Sequence, residues 1–258
     1  MNILTKIKFN ISFLIILLLG MVTGLYKEVL IFSSLILIHE AGHLVIGLIF
    51  RKEIEKVTIY MFGGYIKFKS KINTPFLEDF FIAIAGFISQ TIYLLVILLL
   101  YKQGIVTEFY HTSFIKYYWG ILIFNLVPIH PLDGYKLLKI ILLRFFSFKL
   151  ANKIGICISF IMVLVTLCLS FVYKMSFNYL LIFSLLIKEI YTEYQNQNLV
   201  FNKFLLERYL YDFSFKRRTV FKHNQVSKMF KDRKHLFKDK NGYKTEKQIL
   251  NKRFDLKR

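Results

Sequence analysis

The sequence predicts an all-α polytopic membrane protein with about six transmembrane helices, a short membrane-associated β-hairpin loop and a small basic cytosolic C-terminal region. Three observations carry this reading. Hydrophobic residues make up 55% of the 258-residue chain, far more than one soluble domain of that size needs. Long apolar runs recur from Ile11 to about Leu186. The net charge of +20 is concentrated elsewhere: residues 195–258 hold 18 Lys and Arg against 6 Asp and Glu. Residues 1–194 therefore read as a membrane domain and residues 195–258 as a basic tail.

A bilayer core of about 30 Å needs roughly 20 apolar residues per helix. Runs of that kind lie at Ile11–Tyr26, Val29–Phe50, Phe80–Tyr101, Phe114–Phe146, Ile154–Tyr173 and Phe177–Leu186. Lys6 and Lys8 before the first run resemble the start of a signal peptide. No small-x-small cleavage site follows, and Gly24-Leu25-Tyr26 leads into the next run, so a retained first helix is expected. The fourth run is too long for one span and holds Pro128 and Pro131, two of the chain's three prolines. A broken helix is expected there, and irregular backbone at membrane depth needs protein or water around it.

Loop charges give the orientation. Lys6 and Lys8 precede span one; Arg51, Lys52, Lys56, Lys67, Lys69 and Lys71 follow span two; Arg144, Lys149 and Lys153 follow span four. The alternate loops carry only Lys27, Lys102, Lys116 and Lys174. The positive-inside rule then places both termini in the cytosol, with Tyr117, Tyr118 and Trp119 as an aromatic belt at the opposite interface. Cys157 and Cys168 fall on one face of a helix about 16 Å apart, too far for a disulfide, and are expected to be packing residues.

Chemistry is concentrated in span two, which reads Ile38-His39-Glu40-Ala41-Gly42-His43-Leu44. Residues four apart on a helix differ by about 40° in azimuth, so His39 and His43 share a face and suit one metal. Glu40 lies between them and is placed to act as a general base. A carboxylate at mid-span costs roughly 2.5–3.5 kcal/mol on insertion scales, and a divalent cation is the natural compensating partner. Catalytic zinc normally takes three protein ligands and keeps one position open. Within the broken span, Asn125-Leu126-Val127-Pro128-Ile129-His130-Pro131-Leu132-Asp133-Gly134, both His130 and Asp133 are candidates for the third. Asp133 is favoured because an unpaired carboxylate there would be costly and Gly134 permits close backbone approach.

His-Glu-x-x-His in an early span, followed by Asn-x-x-Pro-x-x-Pro-x-Asp-Gly, resembles the site-2 protease family of intramembrane zinc metalloproteases. The resemblance implies Asp133 as the third zinc ligand, Asn125 as a residue contacting substrate or the oxyanion, and His130 in a supporting place. Val57-Thr58-Ile59-Tyr60-Met61-Phe62-Gly63-Gly64-Tyr65-Ile66-Lys67-Phe68 reads as a tight hairpin. It resembles that family's membrane-associated β-loop, whose edge would receive an unwound substrate by strand addition at Gly63 and Gly64. A hairpin that merely covers the site is the alternative. Many relatives carry Ala-Gly-Pro and then an asparagine in the third span; this chain has Ala85-Gly86-Phe87-Ile88-Ser89-Gln90. That departure weakens any role for the segment.

The layout is most similar to the family's sporulation branch. That resemblance implies a membrane-associated pro-sigma factor as substrate, inhibitory membrane proteins as partners, and the membrane around the forespore, facing the mother cell, as location. It also implies a CBS-like, ATP-responsive C-terminal region. The tail has room for about one such unit, and one alone is hard to stabilise. A basic surface lying on anionic lipid competes with that reading, at about 1 kcal/mol per residue. Direct nucleic-acid binding is not expected, since neither a recognisable fold nor a stacking pattern is evident. Two other functions stay open: cleavage of an anti-sigma factor or signal-peptide remnant, and a non-proteolytic zinc-binding scaffold or transporter. Intact Glu40 argues against the last.

Overall fold

The computed structural model describes residues 7–60, 63–69, 71–172, 178–215, 217–222, 225–239 and 242–254. Lys6, Met61, Phe62, Tyr173, Lys174, Phe177, Lys216 and Asn241 lie outside the described residues. The chain divides into two compact units, Met1–Ser70 with Leu77–Asn125, and Lys71–Phe76 with Leu126–Arg258.

The first unit holds helices α1 (Ile11–Val22), α2 (Tyr26–Ile49), α3 (Phe76–Lys102) and α4 (Glu108–Leu126). Gly24, at φ +77°, makes the turn between α1 and α2 in a conformation that glycine adopts without steric cost. The core of the unit is a cluster of Ile31, Leu35, Ile36, Phe114, Tyr118 and Ile121, with Tyr93 packed against it. Between α2 and α3 runs a three-stranded sheet in the order β1 (Ile7–Phe9), β2 (Ile54–Tyr60), β3 (Gly63–Phe68). The expected hairpin is present: β2 and β3 are antiparallel, with Tyr60 opposite Gly63 and Ile59 opposite Gly64. The parallel strand β1 was not foreseen, because three residues beside a charged flank are too few to show a period of two. Lys52, just before β2, is ion-paired with Glu78 in the first turn of α3.

The second unit begins where the long fourth run breaks. α4 ends at Leu126, and α5 (Asp133–Phe145) starts after the two prolines, as their positions imply. α6 (Phe148–Val172) and α7 (Asn178–Leu210) follow. Among the described residues, three helical stretches have the length and composition to cross a membrane: Tyr26–Ile49, Phe76–Lys102 and Phe148–Ser170. The other expected spans correspond to the 12-residue α1, to the polar-flanked 19-residue α4 with the break after it, and to α7. α7 continues as one helix of 33 residues far past the apolar run, so residues 194 and 195 lie inside it. Cys157 and Cys168 are corrected from packing residues to exposed positions on α6, a helix whose apolar outer face suits a hydrocarbon solvent.

The basic tail is folded. β4 (Arg217–Lys222) pairs parallel with β5 (Arg233–Asp239), β5 pairs antiparallel with β6 (Gly242–Thr245), and α8 (Glu246–Phe254) follows. Phe237, Met229, Ile249 and Leu250 from the tail share a core with Phe201, Phe204 and Leu205 of α7 and Phe148 of α6. The α7 and α6 side chains thus cover the small sheet that could not bury itself.

Around this core lies a buried polar network. Glu207 Oε2 accepts hydrogen bonds from the backbone N–H groups of Ile72 and Asn73 at 2.7 and 3.1 Å. The Arg208 guanidinium donates to Asn73 Oδ1, to the Arg233, Phe230 and Lys231 carbonyls, and to Glu246. Glu246 Oε1 accepts from both the backbone N–H and Nδ1 of His235, at 2.6 and 2.7 Å. On its other side, His235 Nε2 accepts from the Phe230 N–H at 3.0 Å, which only a neutral ring can do. The neighbouring cavity of about 180 Å³ is lined by Arg208, Lys234 and Lys247 among others. Arg208 is committed to protein acceptors and Lys247 to Asp212, so this cavity offers little to a phosphate.

Burial pushes the His235 pKa below its ordinary value, and the opposing pull of Glu246 does not restore it. Burial opposes the Glu246 carboxylate, but its bonds to His235 and the Arg208 charge prevail and hold its pKa down. Both folded-state values are depressed, so both contributions are complete above the unfolded values and are lost as pH falls. Acidification from pH 7 to below about 6.5, the ordinary histidine value, should therefore begin to loosen the tail. Hydrogen exchange at the β5 amides checks this; protection independent of pH between 7 and 4 would contradict it.

Candidate active site

Glycine and small residues let α2 and α3 approach closely, and their contact forms the site. His39 and His43 are both buried, with their Nε2 atoms 3.2 Å apart. Each ring is gripped from behind by α3. The His43 Nδ1 lies 2.6 Å from the Ile82 carbonyl oxygen, and the His39 Nδ1 lies 3.1 Å from Gln90 Oε1. Ile82 and Gln90 are eight residues apart, two steps of four along one stripe of the helix. Gly86 stands midway, and a Cβ there would come within 2.5 Å of both Nε2 atoms. The place that both imidazoles face is thus kept clear of side chain.

These contacts fit a metal. A backbone carbonyl only accepts, so His43 carries its proton on Nδ1 and presents an Nε2 lone pair. Tetrahedral zinc at about 2.0–2.1 Å from each nitrogen sets the two nitrogens about 3.3 Å apart, close to the spacing here. Acceptors behind both rings are the usual means of fixing ligand tautomer and orientation.

Glu40, half-buried one residue after His39, is also held. Its Oε1 accepts the Gly64 backbone N–H at 2.9 Å. A Cβ on Gly64 would fall 2.5 Å from Glu40 Cγ, whereas one on Gly63 would meet open space. Gly64 is therefore needed for the close contact with Glu40, and Gly63 is not needed for space.

In the second unit, Asp133 is the first residue of α5, where the helix dipole favours an anion. Its carboxylate is buried, with Lys136 Nζ 2.7 Å from Oδ1. Gly134 does permit close backbone approach: a Cβ there would lie 2.1 Å from the Leu126 carbonyl oxygen. The His130 backbone N–H donates to Ser159 Oγ at 3.2 Å, and its ring packs edge-on against Tyr135. In the first unit, Asn125 Nδ2 donates to the Ile121 carbonyl of its own helix at 3.1 Å.

The weak standing given to Ala85–Gln90 is corrected. Its glycine and glutamine, together with the Ile82 carbonyl, form the α3 side of the histidine site. A signal existed in the sequence, because a glutamine amid apolar helix must find partners.

Gly86→Ala should abolish zinc binding while leaving all candidate ligands intact, because the new methyl occupies the space both nitrogens face. Metal analysis of the purified variant checks this, and zinc retained at the wild-type stoichiometry would refute it.

No protein-family model matches the chain. Stage IV sporulation protein FB of Bacillus subtilis (strain 168) is 30% identical over 210 residues, covering 81% of this chain and 73% of that protein. A provisionally named zinc metalloprotease of Synechocystis is 32% identical over 126 residues, which are 46% of this chain and 31% of that protein. The site-2 protease from Methanocaldococcus jannaschii matches in fold with a TM-score of 0.57 at 19% identity, over 75% of this chain and 93% of that one. Sequence and fold agree: the chain belongs to the site-2 protease family, and it is an intramembrane zinc metalloendopeptidase.

Proposed function

We propose that the chain hydrolyses a peptide bond at one zinc ion held by His39, His43 and Asp133, with Glu40 as general base. The observation that carries this is the buried histidine pair with Glu40 anchored beside it by Gly64. Asp133 joins the histidine pair on the strength of the Asn-x-x-Pro-x-x-Pro-x-Asp-Gly resemblance and of the chemistry of its buried carboxylate. Zinc supplies Lewis acidity toward a carbonyl and lowers the pKa of water. Glu40 takes the proton from the attacking water and later delivers it to the leaving amine. His39 and His43 keep their rings fixed through the Gln90 and Ile82 contacts. Asn125 would give up its Ile121 contact to donate to the developing oxyanion.

The substrate reading is a membrane-associated pro-sigma factor, cut near its pro-sequence during sporulation. Its support is the resemblance together with the name of the Bacillus subtilis relative. β3 is an edge strand, and Gly63 and Gly64 lie at its start, where an extended substrate segment could add to the sheet. Inhibitory membrane proteins would hold the enzyme silent in the forespore membrane. The layout would be six spans with both termini cytosolic, residues 195–258 serving to dock substrate and to lie on anionic lipid.

Glu40→Gln should lower cleavage of a co-expressed pro-sigma factor by about 10²–10⁴-fold with zinc content unchanged. Equal cleavage by wild type and variant would end the protease mechanism, and cleavage of other membrane proteins alone would move the substrate to the anti-sigma class. Asp133→Ala should lose zinc and His130→Ala should keep it. The reverse pattern, read by metal analysis, would exchange their roles.

A further inference from the structure

We propose that Gln90 is the positioning residue that selects the metal-binding nitrogen of His39. The inference rests on the metal reading of the histidine pair and concerns how that pair is kept ready. Two facing imidazole nitrogens 3.2 Å apart can share one cation only when neither carries a proton. His43 cannot be the donor, because its proton is committed to the Ile82 carbonyl. The outcome therefore depends on the proton of His39.

That proton is set by Gln90. A glutamine side chain can offer either its oxygen or its NH₂, and the surrounding network decides which. The far end of this one lies 2.9 Å from the Tyr118 backbone carbonyl, which can only accept. The NH₂ must therefore face Tyr118 and the oxygen must face His39, 3.1 Å from Nδ1. An amide oxygen only accepts, so His39 carries its proton on Nδ1 and offers the Nε2 lone pair. Gln90 is fully buried, so no solvent water can take over either contact. The chain of constraint runs from an α4 carbonyl through an α3 amide to an α2 ring, all within one compact unit. It prevents the two histidines from bonding to each other and holds the site open for zinc.

The test uses the full-length chain in detergent, with zinc affinity measured by chelator competition and ligand geometry by the visible spectrum of the cobalt-substituted protein. Gln90→Met, which keeps the volume and removes both polar ends, should weaken zinc binding about 10–100-fold and change the cobalt spectrum. Gln90→Glu, which retains an acceptor for His39, should recover most of that affinity. Wild-type affinity and spectrum in Gln90→Met would overturn the proposal. So would equal losses in both variants, which would mark a packing role. If Gln90→Met does not fold, ¹⁵N-histidine spectra of the metal-free wild type decide: a His39 proton on Nε2 overturns the proposal and one on Nδ1 supports it. A wild-type chain that binds no zinc at all would overturn the metal reading itself, and this inference with it.

Discussion

Two lone-pair nitrogens facing each other inside an apolar helix pair are the constraint on which the first unit is built. A soluble helix could leave such a pair to water. Here the rings are buried, and two inward-facing acceptors suit a cation. Their spacing survives because α3 supplies an acceptor behind each ring and no side chain in front of them. One stripe of that helix does all of this, through a carbonyl at Ile82, a missing side chain at Gly86 and an amide at Gln90. The packing of α2, α3 and α4 through Leu35, Phe114 and Tyr118 then serves chemistry as well as stability, since a small slip of α3 would release both rings.

The legible parts of the site were those with a local period. His39, Glu40 and His43 announce themselves by a spacing of four within one apolar run, and the cost of burying them makes chance an unattractive explanation. Asp133 could be narrowed only to one of two residues until the family motif was invoked. What stayed hidden was relational. Gln90 lies 51 residues from the ring it holds, and nothing in its own neighbourhood names that partner. The Gly64 contact with Glu40 spans 24 residues and depends on a strand register that sequence alone does not fix.

The same division holds for the fold. Proline positions correctly implied the break between α4 and α5, and Gly63-Gly64 correctly implied a hairpin. Hydropathy stops reporting at Leu186, yet α7 continues to Leu210, because its second half is held by the tail's core and not by lipid. The tail itself was read as charge. Its strands carry lysines and arginines outward while Phe237, Met229 and Leu250 point inward, and a high count of cations hides so small a core. Arg208 and Glu246 show how such a basic segment folds at all: one buried guanidinium satisfies several carbonyls that the short sheet leaves over.

Under the proposed mechanism, Gly64 links two demands on the site, holding the base and receiving the substrate. Its N–H donates to Glu40, and it lies on β3, the strand at one edge of the sheet. A substrate segment that paired with β3 as proposed would therefore arrive beside the carboxylate assigned to deprotonate water. The cost is that one edge donor is already engaged, so an incoming strand must share Gly64 or bypass it. The benefit is that strand addition and base placement are tied to one residue. On that proposal a peptide that failed to extend along β3 would not be brought to Glu40, and a folded helix presents no free edge with which to extend. Under the proposed mechanism, unwinding of the substrate is thereby a condition for cleavage, imposed by the geometry of the base itself.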